Sequence, residues 1–265
     1  MERWIESEKP LDVVLEPLQM FRRRQAKTVA MTEQRRPDSY DRGIALEPHI
    51  GTLNEGSLHA ALKADYAEPG DEFEVPLDGF VIDIRRGDLL VEIQTSSFAA
   101  MGSKLDRLLP EHRILLVHPI PVTTYLQKPD APRRKSPKRG SVYDLFEELV
   151  SVPTLIDHPN LTVDAVLVSV TKHQSADPTL RRGRGGFRTD DRVLDEVVDR
   201  QRFTSTDDLL ALVPDELPSP FTTADLAAGA GVRRDVAQRM AYVFRALDVF
   251  IEHGRTKAGI QYTRG

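Results

Sequence analysis

Cysteine is absent from this chain, and its absence excludes two kinds of structure. Neither disulfide bridges nor a zinc site with cysteine ligands is possible, and a reducing compartment fits this composition. Long apolar runs are also missing: none could span a membrane, and the N-terminus lacks the apolar core of a signal peptide. These absences predict a cytoplasmic protein that has no membrane partner.

Charge of either sign is in only small excess. The chain has 36 basic and 41 acidic residues, a net charge of −5 at pH 7, which argues against a protein that coats nucleic acid nonspecifically. The basic residues are concentrated in two segments, at 128–139 among prolines and at 181–188 among glycines. Both segments are predicted as flexible loops, which are either solvated linkers or contacts to a phosphate backbone.

With 265 residues, of which 40% are hydrophobic, the chain is long enough for two domains with their own cores. The first 48 residues show no sustained periodicity and are predicted as a flexible arm. The predicted divisions are an arm at 1–48, a sheet domain at 49–180, a basic linker and connecting helix at 181–204 with the helix at 193–203, and a C-terminal domain at 205–265.

The most informative segment is a predicted hairpin at residues 80–95. Two apolar runs are joined at Gly87-Asp88, and each contains one carboxylate where an apolar residue is expected. A two-residue loop sets Asp83 opposite Glu92, with Gln94 on the same face. Like charges that face each other on a buried surface are destabilising, so a positive group is expected between them. A divalent metal ion is the simplest candidate.

Two alternatives to this interpretation remain open. A three-residue loop that includes Arg86 would place Glu92 on the opposite face from Asp83. A sheet with one wet face would leave both carboxylates simply solvated, as happens in many antiparallel hairpins.

The elements around the hairpin favour burial. Their predicted order is helix, three strands, helix and strand, and a sheet covered by helices on both faces has few wet positions. The predicted elements are a helix at 53–66, a strand at 72–77, the two hairpin strands, a helix from Ser96 or Ser97 to Pro110, a strand at 113–120, a helix at 141–150 and a strand at 162–171.

This pattern resembles the core of the PD-(D/E)xK nuclease superfamily, the restriction-endonuclease and Holliday-junction-resolvase fold, over residues 53–120. That family uses a helical Glu, a strand Asp and a Glu-x-Lys element. The resemblance assigns these roles to Glu55, Asp83 and the segment Glu92-Ile93-Gln94. The motifs LNEGSLH and VEIQT are also similar to those of an uncharacterised group of bacterial proteins placed in this superfamily.

The resemblance implies an α/β fold, with a restriction-endonuclease-like mixed sheet flanked by helices, and hydrolysis of DNA phosphodiesters. Asp83 and Glu92 would hold Mg²⁺ or Mn²⁺, which lowers the pKa of a bound water. Glu55 would add charge neutralisation. Gln94, which stands where Lys is usual, would position the attacking water by hydrogen bonding.

Several of these residues have alternative interpretations. Glu55 could be an ordinary first-turn residue that stabilises a helix N-terminus. His59 could contact substrate or be structural. Lys104 could supply the missing ammonium group or lie on a solvated helix face. Asp78 competes for the role of the strand Asp, but it precedes a glycine and is predicted as a turn residue.

The C-terminal segment, residues 221–264, has the pattern of a small winged-helix domain. A helix capped by Thr222 or Thr223 is followed by a turn at Gly231, a second helix at 233–247 and a two-stranded wing. Winged helices bind DNA, and they also serve as protein-interaction modules. The predicted DNA contacts are Arg233, Arg234, Gln238 and Arg239 on the second helix, and Arg255 and Lys257 on the wing.

The leading prediction is therefore a cytoplasmic endonuclease that depends on Mg²⁺ or Mn²⁺ and is targeted to DNA by a winged helix. The main alternative is a non-enzymatic DNA-binding regulator on a degenerate nuclease fold, and a third is a protein-interaction module. Because cleavage of both strands with one site per chain requires two sites, a homodimer fits the first prediction.

Overall fold

The protein, seen here in a computed structural model, is described over residues 56–180 and 186–265 and contains two β-sheets. The predicted arm at 1–48, Glu55 and the basic residues 181, 182 and 184 lie outside the described residues. No helix in the described ranges is long and apolar enough to cross a membrane. The α-helices are α1 Ser57–Tyr66, α2 Gly102–Leu108, α3 Leu145–Leu149, α4 Thr206–Leu210, α5 Thr223–Ala230 and α6 Arg234–Ala246.

The larger sheet is mixed and has the order β1-β2-β3-β4-β6-β7, with β5 paired to β4. β1, β2 and β3 form an antiparallel meander, β3, β4 and β6 are parallel, and β7 returns antiparallel to β6. Its strands are β1 Glu72–Leu77, β2 Phe80–Arg86, β3 Leu89–Ile93, β4 Arg113–Gln127, β5 Arg134–Lys135, β6 Leu161–Ala176 and β7 Phe187–Phe203. The connections between the parallel strands contain α2 and α3, so the predicted α/β fold with a mixed sheet flanked by helices is confirmed.

The register of the predicted hairpin is also confirmed. Arg86 pairs with Leu89 and Ile84 pairs with Val91, so only Gly87 and Asp88 form the loop. Gly87 has a φ of 58°, a left-handed conformation that glycine adopts without steric cost. The alternative three-residue loop is therefore wrong.

The turn between β1 and β2 settles the role of Asp78. Asp78 and Gly79 have φ values of 50° and 83°, as a tight hairpin turn requires at both central positions. Asp78 pairs with Arg107 in this turn at 3.2 Å. The prediction that Asp78 is a turn residue is confirmed.

Each face of the sheet packs against helices. Leu58 and Leu62 of α1 join one cluster with Val91, Ile93 and residues of the neighbouring strands. Since successive side chains of a strand point to opposite faces, Leu90 and Glu92 face away from this cluster. The face that bears Glu92 is covered by α2, whose Lys104 reaches that carboxylate.

The prediction of a connecting helix at 193–203 is wrong, because these residues belong to β7, which spans 17 residues. The register with β6 shifts at three points, which leave Asp190, Asp195 and Val198 as extra residues in β7. Such bulges break the alternation of a strand. Because the alternation is interrupted, the apolar residues of this strand can recur at a helix-like spacing in the sequence. These residues are Val193, Leu194, Val197 and Val198. The sheet therefore extends to residue 203, beyond the predicted boundary at 180.

The basic segment at 128–139 is not the free loop that its composition predicts. β5 pairs antiparallel with β4 through Tyr125 and Leu126. The Arg133 guanidinium lies 3.8 Å from the ring centre of Tyr125 and 2.6 Å from an Asp195 carboxylate oxygen. Stacking, ion pairing and backbone pairing together hold this segment against the sheet.

The C-terminal elements follow the predicted order. α5 begins with a capping box between Thr222 and Asp225 and ends at Gly231, whose φ is 63°. After α6, the strands β9 (Phe250–Thr256) and β10 (Gly259–Arg264) pair with β8 (Phe221–Thr222) in the order β8-β10-β9. The ring centres of Phe244 on α6 and Phe146 on α3 lie 5.5 Å apart. α6 therefore packs against a helix that connects two strands of the larger sheet.

Candidate active site

The candidate site lies where β2 and β3 separate. The backbone pairing of these two strands stops at Ile84 and Val91, and the next positions in register are Asp83 and Glu92. At this point the N–H of Ile93 donates to Oδ2 of Asp83 at 2.8 Å. The side chain of Asp83 thus accepts a hydrogen bond from the backbone of β3 at the point where the two strands separate.

α1 supplies positive charge to Asp83. His59 Nε2 lies 3.2 Å from Asp83 Oδ2, and Lys63 Nζ lies 3.9 Å from Asp83 Oδ1. The two residues are four positions apart and share one face of the helix. Burial tends to raise the pKa of Asp83, but the hydrogen bonds from His59 and Ile93 and the charge of Lys63 outweigh burial and hold the pKa below its usual value.

Glu74 is a site residue that the sequence did not reveal. Its carboxylate pairs with Lys63, so this ammonium group lies between Glu74 and Asp83. Glu74 has a φ of 52°, a left-handed conformation inside β1 that no residue pattern predicts. The site therefore contains three carboxylates, and Glu74 is the most exposed of them.

Glu92 is 5% exposed and is paired with Lys104 of α2. Lys104 Nζ lies 2.6 Å from Glu92 Oε1 and donates to the carbonyl of Val81 at 2.6 Å. Burial raises the pKa of Glu92 to about 7, with a further contribution from the charge of Asp83, although Lys104 opposes both. The interpretation of Lys104 as part of a solvated helix face is wrong, since its side chain is only 12% exposed.

Gln94 is held by the segment that follows β3. Its side-chain nitrogen donates to Ser96 Oγ at 2.9 Å and to the Ser97 carbonyl at 2.8 Å. The backbone carbonyl of Gln94 accepts a 2.8 Å hydrogen bond from Nδ1 of His118. Burial lowers the pKa of this histidine. Both amide hydrogens of Gln94 are therefore engaged within the protein, and only its side-chain oxygen remains to orient a water.

The described part of the chain contains no group of three or more His, Asp or Glu residues placed to hold a metal ion. Mg²⁺, however, is often bound through one or two carboxylates, with waters and substrate phosphates as the other ligands. Asp83 and Glu92 are adjacent in register on neighbouring strands and both are largely buried. The expectation that their side chains share one face is not met, because helices on opposite faces of the sheet contact them: α1 contacts Asp83 and α2 contacts Glu92. An ion bound by both carboxylates would have to take the place of these basic partners. Glu55, which is predicted to add charge neutralisation, lies outside the described ranges.

Two of the predicted DNA contacts at the start of α6 form ion pairs with acidic residues of the protein, and a third lines a groove. Arg233 and Arg239 both pair with Asp235, whose pKa falls to about 2 through the hydrogen bond from Arg233 despite an opposing effect of desolvation. Arg239 also approaches Glu147 at 3.8 Å. Gln238 lines a groove beside α3 with Val150.

The remaining predicted contacts lie at the β9–β10 hairpin. Arg234 Nη2 donates to the carbonyl of Ala258 at 3.3 Å, which ties the start of α6 to the hairpin turn. Arg255 and Lys257 are exposed on this hairpin. The structure thus brings three of the six predicted DNA-contact residues to one end of the C-terminal unit, which comprises residues 221–264.

The geometry defines a two-carboxylate site with basic partners on a mixed α/β sheet. Residues 56–204 match the family described as Domain of unknown function (DUF8091), and the chain belongs to this family. An uncharacterized protein of Treponema pallidum (strain Nichols) is 32% identical over 218 residues, which cover 78% of this chain and 86% of that protein. No solved structure matches the chain.

Proposed function

We propose that the protein hydrolyses DNA phosphodiesters with the help of a divalent metal ion. The observation that supports this proposal is the placement of Asp83 and Glu92 in adjacent register where β2 and β3 separate. Lys63 and Lys104 supply the positive charge that these buried carboxylates require here, and substrate-bound Mg²⁺ or Mn²⁺ would take over that role during turnover.

The strand order supports the same proposal. α1, the meander β1-β2-β3, α2 and the parallel strand β4 follow one another as the resemblance to PD-(D/E)xK nucleases requires. In that family the acidic residues stand on the second and third strands, the positions of Asp83 and Glu92 here. Fold alone does not define a function, so the argument depends on these side chains.

Individual residues would divide the work. Asp83, ionised because its pKa is lowered, and Glu92, once deprotonated, would hold the ion, which polarises the phosphate and activates a water when bound. Lys104 reaches Glu92 from α2 and would stand in for the lysine that Gln94 replaces in the motif. The side-chain oxygen of Gln94 would accept a hydrogen bond from the attacking water.

The C-terminal unit would bring the chain to DNA. Its elements have the order of a winged helix, and α6 would lie against the duplex with the β9–β10 hairpin as the wing. Arg234, Arg255 and Lys257 would contact phosphates, whereas Arg239 is engaged with Asp235.

A second candidate function is a DNA-binding regulator without turnover. It is favoured by the ion pairs at the site, because Lys104 and Lys63 already neutralise the carboxylates that a metal ion would need. In that case the sheet unit would be a scaffold for the C-terminal unit.

Nicking of supercoiled plasmid separates the two candidates. Purified protein is incubated with Mn²⁺, Mg²⁺ or EDTA, beside Glu92→Gln and the control Asp88→Asn, which removes an exposed carboxylate of the same hairpin. We expect metal-dependent nicking that is lost in Glu92→Gln and kept in Asp88→Asn. Nicking that persists in Glu92→Gln, or no nicking by a folded protein, would overturn the proposal.

A further inference from the structure

A cationic cluster lies on the larger sheet, towards the end where β4, β6 and β7 extend furthest. Lys172 of β6 pairs directly with Arg192 of β7. Like charges in directly opposed positions destabilise an antiparallel pair of strands. The next residue across the sheet is Leu126 of β4, which offers no compensating charge.

Lys138 adds a third positive charge to this pair. The segment that contains it follows β5, where Ser136 N–H donates to the carbonyl of Thr124 on β4. Burial lowers the pKa of Lys172, and the nearby charges of Arg192 and Lys138 lower it further. Arg192 and Lys138 are both exposed, so the cluster is accessible within the described part of the protein.

Nearby carboxylates do not neutralise this cluster. Asp190 binds Arg188 and Ser175, Asp191 accepts from Ser57 at the start of α1, and Asp195 binds Arg133 and Thr171. Among the described residues, no ion pair joins an acidic group to Lys138, Lys172 or Arg192. The fold therefore holds three cations together at a cost in stability.

We infer that Lys138, Lys172 and Arg192 form a binding surface for the phosphate backbone of DNA, separate from α6 and the β9–β10 hairpin. A phosphodiester offers the anionic oxygens that such a cluster lacks, and neighbouring phosphates along one strand can serve several cations at once. This inference rests on the proposed function only in taking DNA as the partner. It requires neither a metal ion nor turnover.

Measurement of duplex binding by fluorescence anisotropy at several salt concentrations tests the inference. The test variant is Lys172→Gln with Arg192→Gln, and the matched control is Arg107→Gln with Arg113→Gln, which removes two exposed cations elsewhere on the sheet unit. EDTA is present throughout, so nuclease activity does not influence the result. The conservative variant Lys172→Arg is expected to bind like the wild type.

We expect the test variant to bind at least 10-fold more weakly in low salt. The slope of log affinity against log salt should decrease by about 2, since each lost phosphate contact removes about 0.9. The thermal midpoint should rise by about 1–3 °C, because the repulsion between opposed cations is removed. Weaker binding together with higher stability is the result that a purely structural role would not give.

Unchanged affinity and slope in the test variant would overturn the inference, as would an equal loss in the control. Absence of DNA binding by the wild type in duplex, branched and single-stranded forms would overturn it as well. Salt-dependent binding without plasmid nicking would leave it standing while the proposed nuclease function fails, so the two outcomes are distinguishable.

Discussion

Asp83 and Glu92 occupy adjacent register positions on neighbouring strands, yet their environments shift their pKa values in opposite directions. Hydrogen bonds from His59 and Ile93 overcome burial and keep Asp83 ionised, whereas burial raises the pKa of Glu92 to about 7. Paired titratable groups with diverging pKa values are typical of catalytic sites. Near neutral pH Asp83 is ionised, whereas Glu92 lies close to its own pKa of about 7.

The first prediction concerns the stability of the fold against pH. The pKa of Glu92 rises from 4.5 to about 7 on folding, so the folded state binds this proton more tightly than the unfolded state. Relative to Glu92→Gln, the wild type should gain up to about 3 kcal/mol as pH falls from 7 towards 4.5, and lose it as pH rises. Urea unfolding of both proteins across this range measures the difference, and a difference independent of pH would contradict the assignment.

A second prediction concerns the partner of Glu92. Lys104→Met leaves the buried carboxylate without its ammonium partner at 2.6 Å, so the pKa of Glu92 should rise further. Loss of one partner of a buried pair costs about 3 kcal/mol at pH 8 and less at pH 6, where Glu92 is protonated. Urea unfolding at the two pH values tests this, with Lys104→Arg as the control that keeps the charge. Equal losses at both pH values would show that Lys104 acts through packing alone.

A third prediction separates a buried ion pair from an exposed one on the same strand. Arg202 binds Asp164 through two hydrogen bonds of 2.7 and 2.8 Å, and Asp164 is 2% exposed. Arg202→Ala should destabilise the fold by about 2 kcal/mol, less than for a fully buried pair because the arginine is partly solvated. Arg200→Ala, which loses an exposed pair with Asp65, should cost under about 1 kcal/mol. Thermal unfolding that ranks the two variants in reverse would contradict this.

A fourth prediction concerns the C-terminal unit. Arg255 and Lys257 are exposed on the β9–β10 hairpin, whereas Arg239 pairs with Asp235. Replacement of both hairpin cations by Ala should weaken duplex binding and lower the salt slope by about 2, whereas Arg239→Ala should change the slope by under about 1. Filter binding at several salt concentrations measures the slopes. A larger effect of Arg239→Ala would place DNA on the other side of α6.

The hairpin and its register are predictable from the sequence because their signals are local. Gly87 and Asp88 fix a two-residue loop, and the loop length alone determines that Asp83 and Glu92 occupy adjacent register positions. The loop length does not determine which helix each side chain contacts, and here Asp83 meets α1 whereas Glu92 meets α2. The meander, the crossover through α2 and the C-terminal element order follow from apolar periodicity and turn residues. These features depend on short stretches of chain.

The partners of the site were not predictable in the same way. Lys104 and Lys63 reach the carboxylates because of the way α2 and α1 pack on the sheet. The spacing of residues in the sequence does not predict that packing. Glu74 depends on a left-handed backbone within β1. The helix predicted at 193–203 is a strand whose three bulges interrupt the alternation by which a strand is recognised in sequence.

The most direct test of the central claim is Mn²⁺ binding by isothermal titration calorimetry at pH 8. Wild type, Asp83→Asn, Glu92→Gln and the control Asp88→Asn are titrated under identical conditions. We expect the wild type and the control to bind Mn²⁺, more weakly at pH 6 because Glu92 is then protonated, and each site variant to lose at least 10-fold in affinity. Mn²⁺ affinity that is unchanged in both site variants would contradict the claim that Asp83 and Glu92 form a metal site.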